Sequence, residues 1–550
     1  MTDAFRAEMS DGYGFDEPSL VLGSPVEEDT VATDVRVKLP LARVNRHGLI
    51  AGATGTGKTR TLQIMAGELS DVGVPVFAVD VKGDLSGVGA PGDPDDPRVA
   101  DRAKDLGWTV EPSAHPIELL SLSGKSGARV RASVSSFGPV LLGKVLDLND
   151  TQTSILSLVF RYCDDQHLPL LDLADLRTTL KFLGSDAGRS VLEDLGGMSS
   201  QSLGVIMRAI VTLEQEGAGS FFGEPEFDVL ELIRTTHDGK GVVSLLEVAD
   251  VMDRPRLYST FVLWMLAELY NALPEVGDLP VPRLAFFFDE AHLLFKDASD
   301  ALMEQIERTA RLIRSKGVGV YFVTQAPTDV PSSVLSQLGN RVQHALRAFT
   351  PDDAQDLRKT ARTFPITEHY DVERDISRLG IGEAFVTVLS PKGVPTPLAW
   401  TRLIPPDSRM APLTPQERAQ AIASSNLAAK YDTPVDRESA HEIISARLAA
   451  AKQAAAAAAG VTVGGNGARP GRTSDAERER EIRQRAREMA QEQRQAERER
   501  RVEQRAARQA ARQRERTIET GIRTAGRVIT SRAGQSLIRS VFGTIFGKGR

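Results

Sequence analysis

The sequence predicts an α/β fold built on a largely parallel sheet, and three observations carry that prediction. Residues 49–59 read Leu-Ile-Ala-Gly-Ala-Thr-Gly-Thr-Gly-Lys-Thr, an apolar run followed by a glycine-rich loop that fits G-x-x-x-x-G-K-[ST] from Gly52 to Thr59. Residues 284–290 read Leu-Ala-Phe-Phe-Phe-Asp-Glu, five apolar residues ahead of two carboxylates. Such a run suits a strand covered on both faces, as the strands of a parallel sheet are. Around both motifs, apolar runs of strand length alternate with segments of helical periodicity.

Taken in order, residues 1–33 are polar and acidic with Gly and Pro, and read as a loosely ordered arm. The first part of the core follows over 34–137. Val35, Val37 and Leu39 alternate with polar residues as a strand does. The run 47–51 is the strand entering the glycine loop, and Leu62, Ile64, Met65 and Leu69 give the helix after it, at about 59–70. Residues 74–80 form a second buried strand that ends in the charged loop Asp80 to Asp84. Residues 90–98 are a Pro/Asp/Gly loop, and 108–110 and 117–120 read as further strands. From 138 to 235 the pattern turns helical, with stripes at Val140, Leu141, Leu142, Val145 and Leu146, then Ile155, Leu156, Leu158, Val159 and Phe160. The second part of the core spans 236–405: a strand at 241–246, an apolar helix at 256–272, the acidic strand, a helix at 299–314, and strands at 319–325 and 342–346. A helical extension at 406–459 ends in an alanine run. Over 460–516 a Gly-rich break leads into an Arg/Glu/Gln/Ala helix with intrahelical ion pairs. Residues 517–550 carry Leu537, Ile538, Val541, Phe542, Ile545 and Phe546 at helical spacing beside Arg532, Arg539 and Lys548, a basic amphipathic segment suited first to a protein partner.

Composition sets outer limits. A chain of 550 residues with 41% hydrophobic content can bury a sizeable core over more than one segment. Net charge is −7, yet 475–550 holds 20 Lys+Arg against 11 Asp+Glu, so the body is acidic and the tail basic. That body exerts no global pull on nucleic acid, although a local patch could. The single cysteine, Cys163, forms no intrachain disulfide and reads as a small buried apolar residue in a reducing compartment. The first residues lack an apolar signal core, and no stretch of about 18 apolar residues marks a membrane span. A cytoplasmic protein is expected.

The two motifs have complementary chemistry. Gly52, Gly55 and Gly57 let the loop backbone, including Ala53, Thr54 and Thr56, close on phosphate oxygens. Lys58 would reach the β- and γ-phosphates of ATP, and the Thr59 hydroxyl would hold Mg²⁺. Asp289 would hold the same ion through water, and Glu290 would act as general base on the attacking water. Either motif alone has a plainer reading: a glycine turn without ligand, or a carboxylate helix cap. Their pairing favours nucleotide hydrolysis.

The segments 46–59, 286–295, 311–325 and 337–348 give the chain a resemblance, over about 35–405, to an uncharacterised bacterial family of HerA-like ATPases in the HerA/FtsK group of DNA-translocating motors. The resemblance implies a RecA-like core of the ASCE type and a ring of subunits, a hexamer, working on double-stranded DNA. It makes Gln325 the polar sensor of the γ-phosphate. It also implies an arginine acting across the subunit interface, for which Arg314 is the first choice and Arg311 and Arg341 are alternatives. The chain departs from HerA in having only about 45 residues before the phosphate loop, too few for HerA's N-terminal barrel. The insertion and tail also have no motor counterpart. Two further readings therefore stay open: an ATPase working on proteins or on its own assembly, and a nucleotide-switched scaffold.

Overall fold

Thirteen strands of the described residues hydrogen-bond into one sheet. In chain order they are β1 (Ser19–Glu27), β2 (Thr30–Val31), β3 (Val37–Pro40), β4 (Gly48–Ala51), β5 (Val76–Asp80), β6 (Ile117–Ser121), β7 (Ala128–Arg129), β8 (Val243–Glu247), β9 (Leu284–Phe288), β10 (Val318–Thr324), β11 (Asn340–Gln343), β12 (Glu383–Thr387) and β13 (Ala399–Leu403). The order across the sheet is β2-β1-β13-β12-β11-β4-β10-β9-β5-β8-β6-β7, with β3 also on β1. From β11 to β7 all neighbours run parallel. The other strands form an antiparallel flank. This is a computed structural model, and it describes residues 1–460 apart from 186–187, 189–198, 250–254 and 296–299. Met1–Ala454 form one compact unit. The expected charged helix at 475–516 and basic amphipathic segment at 517–550 lie outside the described residues.

The central strands are buried along their whole length, β4, β5, β8, β9 and β10 alike. Successive side chains alternate between two cores. Phe77, Val79, Phe286, Phe288, Val320 and Phe322 face one, with the helices Val134–Val145, Asp150–Asp165, Pro255–Ala272 and Asp300–Ile313 over them. Val76, Ala78, Ala285, Phe287, Tyr321 and Val323 face the other, under the helix Lys58–Asp71 and the N-terminal helix Asp3–Tyr13. Burial on both faces explains why these strands read as unbroken apolar runs rather than alternating ones.

The arrangement around β4 matters most. Its neighbours are β10 and β11, with Ile50 opposite Val323 on one side and Val342 on the other. Strand β10 therefore stands between the strand entering the glycine loop and the acidic strand β9, an order that carries the RecA-like topology implied above.

Two expectations need correction. The loosely ordered arm at 1–33 is instead a helix, Asp3–Tyr13, followed by β1 and β2. Its acidic composition hides Phe5, Met9 and Tyr13, which fall four apart and are all buried. The Tyr13 hydroxyl lies 2.9 and 2.8 Å from the carbonyls of Val386 and Pro397, which share its one proton and fasten the helix to the antiparallel flank. Residues 108–110 are not a strand. Pro112 and Pro116 follow closely, and neither can donate to a ladder.

The helical insertion opens with the helix from Val134 and includes Asp150–Asp165, Leu173–Gly184 and Ser200–Gln215. Asn149 and Gln152 form a capping box at the second of these. Cys163 is buried within it, and burial pushes its thiol up to about 12, so it stays protonated and inert. No described helix is long and apolar enough to cross a membrane.

Candidate active site

The glycine loop leaves the C-terminal end of β4 and becomes the helix Lys58–Asp71 inside the motif itself. Its root is tied to both neighbouring strands: the Gly52 N–H donates to Thr324 O (3.2 Å), and the Ala53 N–H to Ala345 O (2.8 Å). Gly57 takes φ +120°, and a Cβ there would sit 3.2 Å from the Gly382 nitrogen and 3.3 Å from His344 Cε1. Only glycine satisfies both the conformation and the space. Gly55 takes φ +79° with nothing within 4 Å of an added Cβ, so it needs glycine for its backbone alone and leaves the loop open above. The first-turn amides of the helix, at Lys58 and Thr59, have no intrahelical acceptor and face the positive end of its dipole. This makes a cradle for an anion. Lys58 folds over it, with Nζ donating to Gly52 O (2.7 Å) and Ala53 O (3.3 Å). Burial pulls its ammonium below the usual lysine range, while Glu290 and Asp289 work to keep it charged.

Asp289 and Glu290 follow β9 directly and are both buried. Burial pushes the Asp289 carboxyl up to about 7, helped by the adjacent Glu290 charge. Glu290 behaves in the opposite way. Burial would raise it, but the hydrogen bond and charge of Lys82, with the Gln325 amide and His292, together outweigh burial and hold it below the ordinary carboxylate range. Lys82 Nζ donates to Glu290 Oε1 at 2.6 Å, Gln325 Nε2 to Oε2 at 3.5 Å, and His292 Nδ1 lies 3.4 Å from Oε2. Glu290 itself has φ +47°. That left-handed conformation costs a non-glycine residue roughly 1–2 kcal/mol. The turn is secured where the Ala291 N–H donates to Val323 O (2.8 Å).

Two residues that sequence reasoning did not single out belong to this site. Lys82 sits in the charged loop after β5. Asp80, at the end of β5, shapes that loop by accepting from the Gly83 and Leu85 amides (2.7 and 3.0 Å). The strand-end position of 80–84 signalled a site, but nothing local named Glu290 as the lysine's partner. His344 follows β11, fully buried, with Nε2 2.8 Å from Thr61 Oγ1 and Nδ1 3.0 Å from Glu383 O. Burial, then the Lys58 charge, lowers it to about 4, so it braces the loop as a neutral ring.

The candidate arginines lie apart from the loop. Arg314 starts the turn before β10 and, by its charge, helps keep His47 unprotonated. Both residues mark the N-terminal edge of the parallel strands. Gln325 marks the C-terminal edge of β10, about 20 Å away along a seven-residue strand. Arg311 is exposed near the end of its helix, and Arg341, in β11, points Nη1 to Thr363 O (3.4 Å).

Comparison with known proteins places the chain in a family. A family described as helicase HerA-like C-terminal matches residues 26–550. The DNA double-strand break repair helicase HerA of Sulfolobus acidocaldarius is 22% identical over 377 residues, 65% of this chain and 65% of that protein. The protein of the same description from Pyrococcus furiosus is 27% identical over 385 residues, 64% of this chain and 65% of that protein. The chain thus spans just under two thirds of the length of these curated relatives. Among solved structures, the plasmid coupling protein TrwB in complex with ADP and Mg²⁺ aligns with a TM-score of 0.47 at 15% identity, over 74% of this chain and 99% of that one. VirB4 of Thermoanaerobacter pseudethanolicus aligns with a TM-score of 0.43 at 13% identity, over 73% of this chain and 99% of that one. A family match that runs through every strand carrying a site residue is decisive: the chain belongs to the helicase HerA-like C-terminal family.

Proposed function

We propose that the protein is an Mg²⁺-dependent ATP-hydrolysing motor that works as a ring of subunits, a hexamer, on double-stranded DNA in the cytoplasm. The observation that carries the hydrolytic part is the state of Glu290: ionised, held by Lys82, and touched by Gln325 from the strand beside the phosphate loop. A general base must be deprotonated and within hydrogen-bond reach of the proton it takes; the lowered Glu290 carboxyl and the Gln325 amide beside it support that role.

The donor set fits the ion. Thr59 and Asp289 offer hard oxygen ligands, and burial with the adjacent Glu290 charge leaves the Asp289 carboxylate costly to ionise despite Lys82, a cost a bound cation would relieve. When bound, the ion neutralises charge on the β- and γ-phosphate oxygens. Lys58 would exchange its loop carbonyls for phosphate oxygens. Glu290 would take a proton from the attacking water, while the Gln325 amide holds that water and the γ-phosphate together. Arg314, at the opposite edge of its own sheet, would complete the site of the next subunit in the ring.

One consequence concerns pH. Mg²⁺ competes with a proton for Asp289, whose carboxyl titrates near 7. As pH falls from 8 to 6, the Mg²⁺ concentration giving half-maximal ATPase rate should rise about tenfold. A Mg²⁺ requirement that stays flat over that range would remove Asp289 from the metal site.

DNA as the track is supported by the description of the curated relatives as DNA repair helicases. The acidic body and net charge of −7 favour a second reading, an ATPase acting on proteins or on its own assembly. Measuring ATPase rate with and without double-stranded DNA, at two salt concentrations, separates them. The motor reading expects several-fold stimulation that fades at the higher salt, because phosphate contacts release counterions. A rate indifferent to DNA at both salts would favour the second.

A further inference from the structure

At the far end of the phosphate-loop helix lies a second cluster of polar groups. Asp71 ends that helix, His115 precedes β6, and Asp407 follows β13. One donor atom from each lies within 4.8 Å of the others. Asp71 and Asp407 edge a cleft of about 440 Å³ that Glu68 and Lys240 also line.

His115 is the informative member. Its side chain is buried, with Nε2 3.1 Å from both carboxylate oxygens of Asp407. A carboxylate cannot donate, so the proton between them belongs to Nε2. Nδ1 has no hydrogen-bond partner, although Asp71 Oδ1 stands only 3.5 Å from it; in the neutral ring this nitrogen carries a lone pair. A ring lone pair facing a carboxylate is repulsive unless something positive sits between them. Lys240 Nζ reaches Asp71 Oδ1 at 2.8 Å but is not hydrogen-bonded to the ring. A carboxylate on one imidazole nitrogen and a free lone pair on the other is the arrangement that orients a histidine toward a metal.

Two further observations agree. Asp71 stands where the helix dipole is negative. Gly67 lies beneath the ring in mid-helix, where a Cβ would come within 2.8 Å of His115 Nε2. A mid-helix glycine costs roughly 1 kcal/mol relative to alanine, and here it admits the imidazole.

We propose that His115 Nδ1 and the Asp71 carboxylate bind a divalent transition-metal cation of the Zn²⁺ or Mn²⁺ class, with Asp407 orienting the ring. One imidazole with carboxylate oxygens suits these ions better than Ca²⁺ or a thiolate-seeking metal. The site would pin the far end of the helix whose near end holds the phosphates.

The test uses the full chain, stripped with a chelator and free of nucleotide. Zn²⁺ is titrated against a chromogenic zinc indicator, with Mn²⁺ in a parallel arm followed as the free ion by electron paramagnetic resonance. One equivalent should bind in at least one arm. Asp71→Asn, at an exposed position, should weaken it at least tenfold with an unchanged far-ultraviolet circular dichroism spectrum, and Asp407→Asn about 10–100-fold. Asp289→Asn should leave it unchanged. No bound equivalent of either ion, equal affinity in Asp71→Asn, or loss in Asp289→Asn would each overturn the proposal. In the first case a proton on Nδ1 fills the role instead.

Discussion

Glu290→Gln is expected to bind ATP as the parent protein does and to hydrolyse it about 10²–10⁴-fold more slowly, the range general-base catalysis contributes. The amide keeps the shape of the carboxylate and an oxygen to accept from Lys82, so the loop after β5 and the turn at φ +47° should persist. What it loses is the ability to take a proton. Fluorescent-nucleotide binding and single-turnover hydrolysis on the same sample separate the two effects. Turnover equal to that of the parent would sink the assignment of Glu290 and pass the role to another group.

Lys58→Ala acts on the other half of the reaction. Each hydrogen bond to a charged group contributes roughly 1.5–3 kcal/mol, and each 1.4 kcal/mol is a factor of ten. Losing contacts to two phosphates should therefore weaken ATP binding at least about 100-fold. ADP should suffer less, because it lacks the γ-phosphate. The loop itself should survive, because its root is held by backbone bonds to Thr324 and Ala345 rather than by the lysine. Calorimetric titration with both nucleotides decides the matter. Unaltered ATP affinity would reduce the loop to a glycine turn.

The two motifs were legible in the sequence because each is local. The loop is contiguous from Gly52 to Thr59, and β9 and its carboxylates are contiguous from Leu284 to Glu290. What stayed illegible is set by pairing at long range. Periodicity marks β10 as a strand but cannot say that it stands between β4 and β9. The Lys82–Glu290 pair joins the loops that follow β5 and β9, strands that are neighbours only in the sheet. The N-terminal helix was hidden by composition: its acidic face dominates the count, while three buried side chains fix it. The family resemblance points to Arg314, but only the strand direction sets it at the other edge of β10 from Gln325.

The sheet order also bears on how the chain is made. When Gly48–Ala51 leaves the ribosome, neither strand that will pair with it exists; β10 begins at Val318 and β11 at Asn340. At roughly 5–20 residues per second, the phosphate-loop strand waits tens of seconds for its first neighbour. Through that interval an apolar strand carries two open edges, the condition that invites pairing with a wrong chain. Nucleotide binding therefore cannot assist early folding, because the cradle has no fixed walls until synthesis has passed the acidic strand and β11. A nascent chain halted before residue 318 should be bound by holdase chaperones and show no affinity for ATP.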